Sequence, residues 1–458
     1  MSKYFKFFCS LFFFALFSVN AQDFDRLRLV ETLPEGSRVL RRKIDVKFGY
    51  TELTFVNGVQ IILKPTDFNN DRILFAGFSP GGSSLYLVED FLTATVAANI
   101  ATMSGIGNFD GLALESKLSD NTASLLPYIS EMYEGVNGSA TPDDLETMLQ
   151  LNYLYFTATR YDETAFNTVI SQLRNQTANM RNDPLYAYLN ALNISVTNNN
   201  PRSVVIPDEN QIDRIRHINA LNIFNDRFSD ASDFKFVMVG NFDVNSITPL
   251  LETYLGGLPS RRRIETWRDV TTPFPFGIRL VNHQQNTDNQ SRVDIIMKGG
   301  FRWNIRERIQ FALFTEIFNF ILCEAAQGKA HDINVTGNAS RYPNPKYSLE
   351  IVFNCAPDIA DSLIFVVFEE AKKLKANGPN AIELNQLKET LISQRESEMT
   401  ENQYWLSVLL NTYQHGDRLM TFEEYKRLVN SVRPRDIRRI ARQYFNENNY
   451  VIGKFTHN

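Results

Sequence analysis

The sequence predicts an α+β protein of two homologous units, each an antiparallel β-sheet backed by α-helices. Three observations predict it. Apolar strands run into a long apolar helix twice, over residues 53–107 and again over 293–322. A closing helix, polar turn and apolar strand also occur twice, as "IFNDRFSDASDFKFVMVGNF" (223–242) and "IARQYFNENNYVIGKF" (440–455), their final phenylalanines 213 positions apart. Neither half carries the glycine fingerprint of a nucleotide-binding parallel sheet.

In chain order, residues 1–21 read as a secretory signal peptide. Lys3 and Lys6 form its positive end, residues 7–19 its apolar run, and Val19-Asn20-Ala21 its small-residue cleavage site. The apolar run is too short for a comfortable membrane span, so the expectation is export to the periplasm of a Gram-negative bacterium, with no membrane span. Residues 22–48 read as an extended leader, 49–260 as the first unit, 261–275 as a linker and 276–458 as the second unit.

In the first unit Leu53 and Phe55 alternate, Asn57-Gly58 is a hairpin signal, and residues 59–63 form the returning strand. Residues 68–71 supply a second turn, and 73–78 a third strand ending at Gly81-Gly82. Thr141-Pro142-Asp143-Asp144 reads as a helix start, with an N-cap, a proline at the first position and acids on the positive end of the dipole. Another helix is expected over 162–182. The two closing elements share an aromatic helix end (Phe228, Phe445), an Asp/Asn-rich turn, an aromatic strand start (Phe234, Tyr450) and a Gly-x-Phe exit. In the second unit a strand over 293–297, an apolar helix over 309–322 and a hairpin around Pro343-Asn344-Pro345 precede two helices. The first of these, 363–375, stops at Asn377-Gly378.

Composition narrows the function. Removing residues 1–21 with their two lysines takes the net charge from −5 to −7, a balance that argues against a nucleic-acid partner. The run Arg261-Arg262-Arg263 is followed by Glu265 and Asp269 and reads as a solvated linker. Cys323 and Cys355 are the cysteines beyond the signal segment. They form either two buried thiols or one bridge, and an apolar core must hold the chain together.

No motif supplies a self-sufficient active site. None of His217, His283, His331, His415 and His457 pairs with another at the i, i+4 spacing of zinc ligands. His415 lies where a helix ends and reads as a favourable contact with its dipole; the others read as surface or satisfied histidines. There is neither a G-x-S-x-G elbow nor a phosphate-binding P-loop. "SPGGSS" (79–84) reads as a backbone turn, with an anion nest as the lesser alternative. Glu369 and Glu370 lie beside Lys372 and Lys373 on a solvated helix face. The stretch "FLTATVAANIATMSGIG" (91–107) predicts a helix with Leu92, Val96, Ile100 and Met103 on one face, and nothing in it titrates, in a chain whose residues are 22% charged.

The runs "NGVQIILKPTDFNNDRILFAGFSPGGSSLY", "ATPDDLETMLQLNYLYFTATRYDETAF", "DRFSDASDFKFVMVGNFDVNSITPLLETYLGGLPS" and "ASRYPNPKYSLEIVFNCAPD" resemble the insulinase/pitrilysin family of zinc metallopeptidases. The likeness is strongest to the C-terminal half of its long bacterial members and covers about residues 48–458. It implies repeated α+β domains paired into halves that close like a clamshell around a peptide chamber. In catalytic halves the corresponding helix carries H-x-x-E-H, which binds Zn²⁺ and activates water. Here those positions fall near Val96, Asn99 and Ile100, and the stretch 91–107 holds no histidine or glutamate. Non-catalytic halves contribute an arginine and a tyrosine to the partner's site. The matching stretch "LCEAAQGKAHDINV" places Cys323 at the arginine position and Ala330 or His331 at the tyrosine position; Arg341, Tyr342 and Tyr347 belong to the next hairpin.

The resemblance therefore implies a non-catalytic, pseudoenzyme-like half with no metal or cofactor of its own. Zinc is expected only on a separate partner subunit bearing H-x-x-E-H, and the ligands are unstructured peptides. The alternative is a free-standing periplasmic peptide-binding or scaffold protein with no link to proteolysis.

Overall fold

The computed structural model describes residues 27–68, 71–285 and 290–457. The expected signal segment and part of the 68–71 turn lie outside the described residues.

The first sheet contains β1 (Val39–Asp45), β2 (Tyr50–Phe55), β3 (Gln60–Pro65), β4 (Ile73–Pro80), β5 (Ser124–Ile129), β6 (Tyr133–Ala140) and β7 (Lys235–Gly240), in the order β1-β2-β3-β7-β4-β6-β5. Its helices are α1 (Phe91–Ser104), α2 (Gly111–Leu118), α3 (Leu145–Thr157), α4 (Glu163–Asn182), α5 (Pro184–Val196), α6 (Glu209–Asp213), α7 (His217–Phe228) and α8 (Val244–Tyr254). The second sheet holds β8 (Ile278–Gln285), β9 (Ser291–Gly300), β10 (Ala330–Ser340), β11 (Lys346–Cys355) and β12 (Tyr450–His457), in the order β10-β11-β9-β12-β8. Its helices are α9 (Ile305–Ala326), α10 (Ala360–Asn377), α11 (Ala381–Glu398), α12 (Asn402–His415), α13 (Phe422–Ser431) and α14 (Pro434–Tyr444).

The strand order β3-β7-β4-β6-β5 reappears as β8-β12-β9-β11-β10. The duplicated closing strand inserts beside β3 in the first sheet and β8 in the second, running parallel to it and antiparallel to its other neighbour. The sheets are thus antiparallel except at β3–β7 and β8–β12. A strand that returns after many intervening helices can enter mid-sheet in either direction, whereas a short hairpin cannot.

The two closing strands sit between layers on both faces and are correspondingly apolar. Phe236 and Met238 point into the first core with Met148 and Leu149 of α3, while Val237 and Val239 face the opposite layer. That opposite layer comes from the other half of the chain: Trp405, Leu406 and Leu409 of α12 cover Tyr50, Ile62, Ala76, Val237 and Val239. Reciprocally, Tyr188, Leu192 and Val196 of α5 cover Ile296, Val451 and Phe455 in the second sheet. Each half therefore lends one helix to the other's open sheet face. Full burial of each such aliphatic or aromatic side chain contributes about 1.5–3 kcal/mol, so the exchange couples the halves.

Local signals explain the element ends. Gly58 (φ 97°) turns β2 into β3, and Gly378 (φ 77°) ends α10. The expected helix start at Thr141 is displaced: α3 begins at Leu145, and Asp144 turns its carboxylate back to the Thr122 amide (2.7 Å) and hydroxyl (2.6 Å). Asp144, one of the acids expected on the positive end of the dipole, holds the approach to β5 instead. The leader is also more structured than expected, because β1 pairs with β2. Helix α9 is long and apolar enough to cross a membrane (mean hydropathy 1.4), but half of that window is buried, and Phe311, Leu313, Phe314 and Phe318 lie in the second core. It serves as a core helix. Cys355 is buried and Cys323 exposed, and both are free thiols, so the expectation of two buried thiols fails at Cys323.

Candidate functional site

Helix α1 follows a short 3-10 turn, Val88–Asp90, and ends at Gly105 (φ 76°), where an added Cβ would lie 2.2 Å from the Phe109 carbonyl oxygen. Its buried residues are Thr93, Ala94, Ala97, Ala98, Ile100, Ala101 and Ser104, against α4, α7 and β5. The expected face of Leu92, Val96, Ile100 and Met103 is displaced around the helix: Ile100 is buried, Leu92 and Val96 are half-buried, and Met103 is 38% exposed. Close packing on three sides selects the small side chains rather than the large ones. The hydroxyls of Thr95, Thr102 and Ser104 bond to carbonyls of the helix itself.

Val96, Asn99 and Ile100 are neighbours on α1 by their i, i+3, i+4 spacing. Asn99 is exposed, while Ile100 retains 2% of its exposure. Two aliphatic groups and an amide do not fit zinc, which takes imidazole, thiolate or carboxylate donors. Among the described residues no group of three or more His, Cys, Asp or Glu side chains is arranged for a metal ion. The second region lies in the other half's layers. Cys323 is exposed on the last turn of α9, and Ala330 and His331 open β10, paired with Cys355 and Asn354 of β11. The first region lies on α1 in the first half, the second on α9 and β10 in the other half.

His217, at the start of α7, departs from the expectation of a surface or satisfied histidine. It is 7% exposed, neither ring nitrogen has a hydrogen-bond partner, and it is stacked between Tyr161 (3.8 Å) and Phe166 (4.8 Å). Burial lowers its pKa against the pull of Glu163 and Asp162. At the end of α12, the Arg341 guanidinium donates to the carbonyl of His415. Burial lowers the His415 pKa, so Arg341 rather than an imidazolium supplies the positive charge there.

The "SPGGSS" turn accepts an anion from its own chain. The Gly82 amide donates to Glu134 Oε2 at 2.6 Å, and Glu134 lies 3.6 Å from the buried guanidinium of Arg227. Arg227 also reaches Glu265 (2.9 Å), Asp226 (2.6 Å) and the Tyr86 hydroxyl (2.9 Å). Burial pushes the Glu134 carboxyl up to about 7 against the opposing charge of Arg227. Arg263 of the arginine run joins this network through Asp226 and Glu265, leaving Arg261 and Arg262 exposed. The cluster ties α7, β6 and the inter-unit segment together.

Sequence reasoning missed a cleft of about 450 Å³ between the halves. Gln60, Phe78 and Lys235 from the first sheet, Trp267 from the inter-unit segment, Tyr342 from the β10–β11 turn and Tyr413 from α12 line it. These residues are scattered over more than 350 positions, so no local motif could reveal it.

Residues 219–391 match the family described as "Peptidase M16 inactive domain". The chain is 27% identical over 394 residues to a zinc protease PQQL-like protein of Arabidopsis thaliana, covering 80% of this chain and 38% of that protein. Its fold superposes on the periplasmic protease PqqL from Escherichia coli with TM-score 0.80 and 17% identity, covering 94% of this chain and 48% of the other. It also superposes on a peptidase M16 inactive domain from Pseudomonas fluorescens with TM-score 0.74 and 13% identity, covering 89% and 98%. The chain spans about two-fifths of the length of the curated relatives it matches. By sequence the chain is homologous to the PqqL-like zinc proteases, its residues 219–391 match the inactive domain of the M16 peptidases, and its fold is similar to that of solved M16 proteins.

Proposed function

We propose that this chain is a non-catalytic M16 half that forms one wall of a clamshell peptide chamber and works with a second half bearing H-x-x-E-H. The observation that carries the reading is the chemistry of α1. Near the positions where the resemblance puts the metal ligands of catalytic halves, the helix offers Val96, Asn99 and Ile100, and no residue of 91–107 is a histidine or a carboxylate able to bind zinc or take a proton from water. The match to the family's inactive domain supports the same reading. The partner supplies the zinc, unstructured peptides are the ligands, and the site of action is the periplasm. The N-terminal pattern of Lys3, Lys6 and the apolar run supports export, as does the periplasmic description of the Escherichia coli relative.

Cys323, Ala330 and His331 favour a second reading, because the arginine and tyrosine of helper halves are missing from that stretch. On this reading the chain is a free-standing peptide-binding or scaffold protein. Affinity purification of the chain from native envelope extract separates the two. Recovery with an H-x-x-E-H homologue supports the partnered half, and recovery as a monomer or homodimer alone refutes it.

A further inference from the structure

The cleft between the halves has an ordered floor. Lys235 is the first residue of β7, flanked across the sheet by Gln60 of β3 and Phe78 of β4. In period-2 alternation Lys235 shares a face with Val237 and Val239, the face covered by α12. Helix α12 ends at His415, and at its end the row Gln60, Lys235, Phe78 lines the cleft. Aromatic walls rise around that row. Tyr133 packs edge-on against Phe78 at 6.0 Å, and Trp267 and Tyr342 lie 5.5 Å apart.

The charge at the floor is unbalanced. Lys235 Nζ lies 5.9 Å from the Tyr413 ring centroid and makes no ion pair among the described residues. Asp233, two positions before it, also lines the cleft; burial raises its pKa, and no ion pair joins it to Lys235 among the described residues. The carbonyl end of α12 is already occupied, by Arg341 on His415 O and by the Tyr133 hydroxyl on Gln414 O at 3.5 Å. A half-buried ammonium beside aromatic rings, held in no ion pair, complements a ligand carrying one carboxylate and one apolar ring.

We propose that this cleft binds the free C-terminus of a peptide ending in an aromatic residue, with Lys235 on the terminal carboxylate and Trp267 and Tyr342 on the last side chain. The site is separate from α1 and needs no zinc-bearing partner, so it stands or falls independently of the partnered-half reading.

Isothermal titration calorimetry on the full chain tests it with three acetylated pentapeptides. One ends in phenylalanine as the free acid, one is its amide, and one ends in lysine amide. The free acid is expected to bind about tenfold more tightly than its amide, the size of a charge-assisted contact. Lys235→Gln should bring the free acid down to the amide's affinity, and Trp267→Ala should weaken both, with thermal melts confirming that each variant folds. Equal binding of acid and amide, no binding of either at millimolar concentration, or an acid preference that survives Lys235→Gln overturns the proposal. Tightest binding of the lysine amide, lost in Asp233→Asn, also overturns it by assigning the cleft to a cation.

Discussion

The phenol of Tyr188, on a helix of the first half, donates a 2.6 Å hydrogen bond to the Asp294 carboxylate in the central part of the second sheet, and both side chains are buried. Arg292 holds the same carboxylate at 2.8 and 2.9 Å. The phenol reaches Asp294 only because position 453 is glycine: a Cβ there would lie 2.1 Å from the Tyr188 oxygen. The glycine of the repeated Gly-x-Phe exit therefore permits the helix exchange between halves.

Tyr188→Phe should cost about 1–2 kcal/mol, since Asp294 keeps its arginine. Gly453→Ala should cost about 1–3 kcal/mol by overpacking. In a double-mutant cycle read by urea unfolding, the cost of Gly453→Ala should fall in the Tyr188→Phe background, because the clashing oxygen is gone. Additive costs would show that the glycine serves something other than the phenol.

Arg227 neutralises a carboxylate that has no other cation within ion-pair distance among the described residues, Glu134, whose side chain is 1% exposed. Arg227→Met should cost about 3–5 kcal/mol by removing the buried cation that Glu134, Glu265, Asp226 and the Tyr86 hydroxyl all contact. Arg227→Lys should rescue little, because one ammonium cannot reproduce the separate contacts to Tyr86, Glu265 and Asp226. Chemical denaturation of the two variants checks both statements.

His217 gives the fold an acid-side weakness. Its folded pKa lies below the ordinary 6.5, so the unfolded chain binds the extra proton as pH falls, and the contribution to stability shrinks below about pH 6.5. Glu134 acts oppositely. Its folded value is raised from 4.5 to about 7, so it favours folding below about 4.5 and loses that contribution as pH rises through 7. The readout is therefore the difference between wild type and His217→Phe, which should widen in favour of the variant from pH 7 to pH 5.

The two cysteines should titrate separately. In protein beginning at Gln22, a thiol reagent should modify one group, Cys323, in the native state and a second, Cys355, only on unfolding, since Cys355 is buried and its pKa raised. A single bridge would leave neither reactive.

Much of the fold was legible because it rests on local signals. Asn57-Gly58 specified a hairpin, Asn377-Gly378 a helix end, and the repeated aromatic–turn–Gly-x-Phe pattern matched the closing strand in both sheets. What escaped depends on distant neighbours. The parallel entry of β7 and β12 follows from where a strand returns, and Asp144 bonds back to Thr122 rather than forward to α3. Periodicity misplaced the buried face of α1, because three packing partners demand small residues where one would demand large ones. At the candidate site an absence was readable: α1 has no titrating side chain. The arrangement around Lys235 was not, since its parts meet only after the halves exchange helices.

Helix α1 offers no side chain able to bind zinc. Zinc content and peptide hydrolysis, measured together on the purified chain alone and after mixing with an H-x-x-E-H half, test it most directly. We expect no stoichiometric zinc and no cleavage alone, with cleavage appearing on mixing. One zinc per chain with hydrolysis by the isolated protein would contradict it.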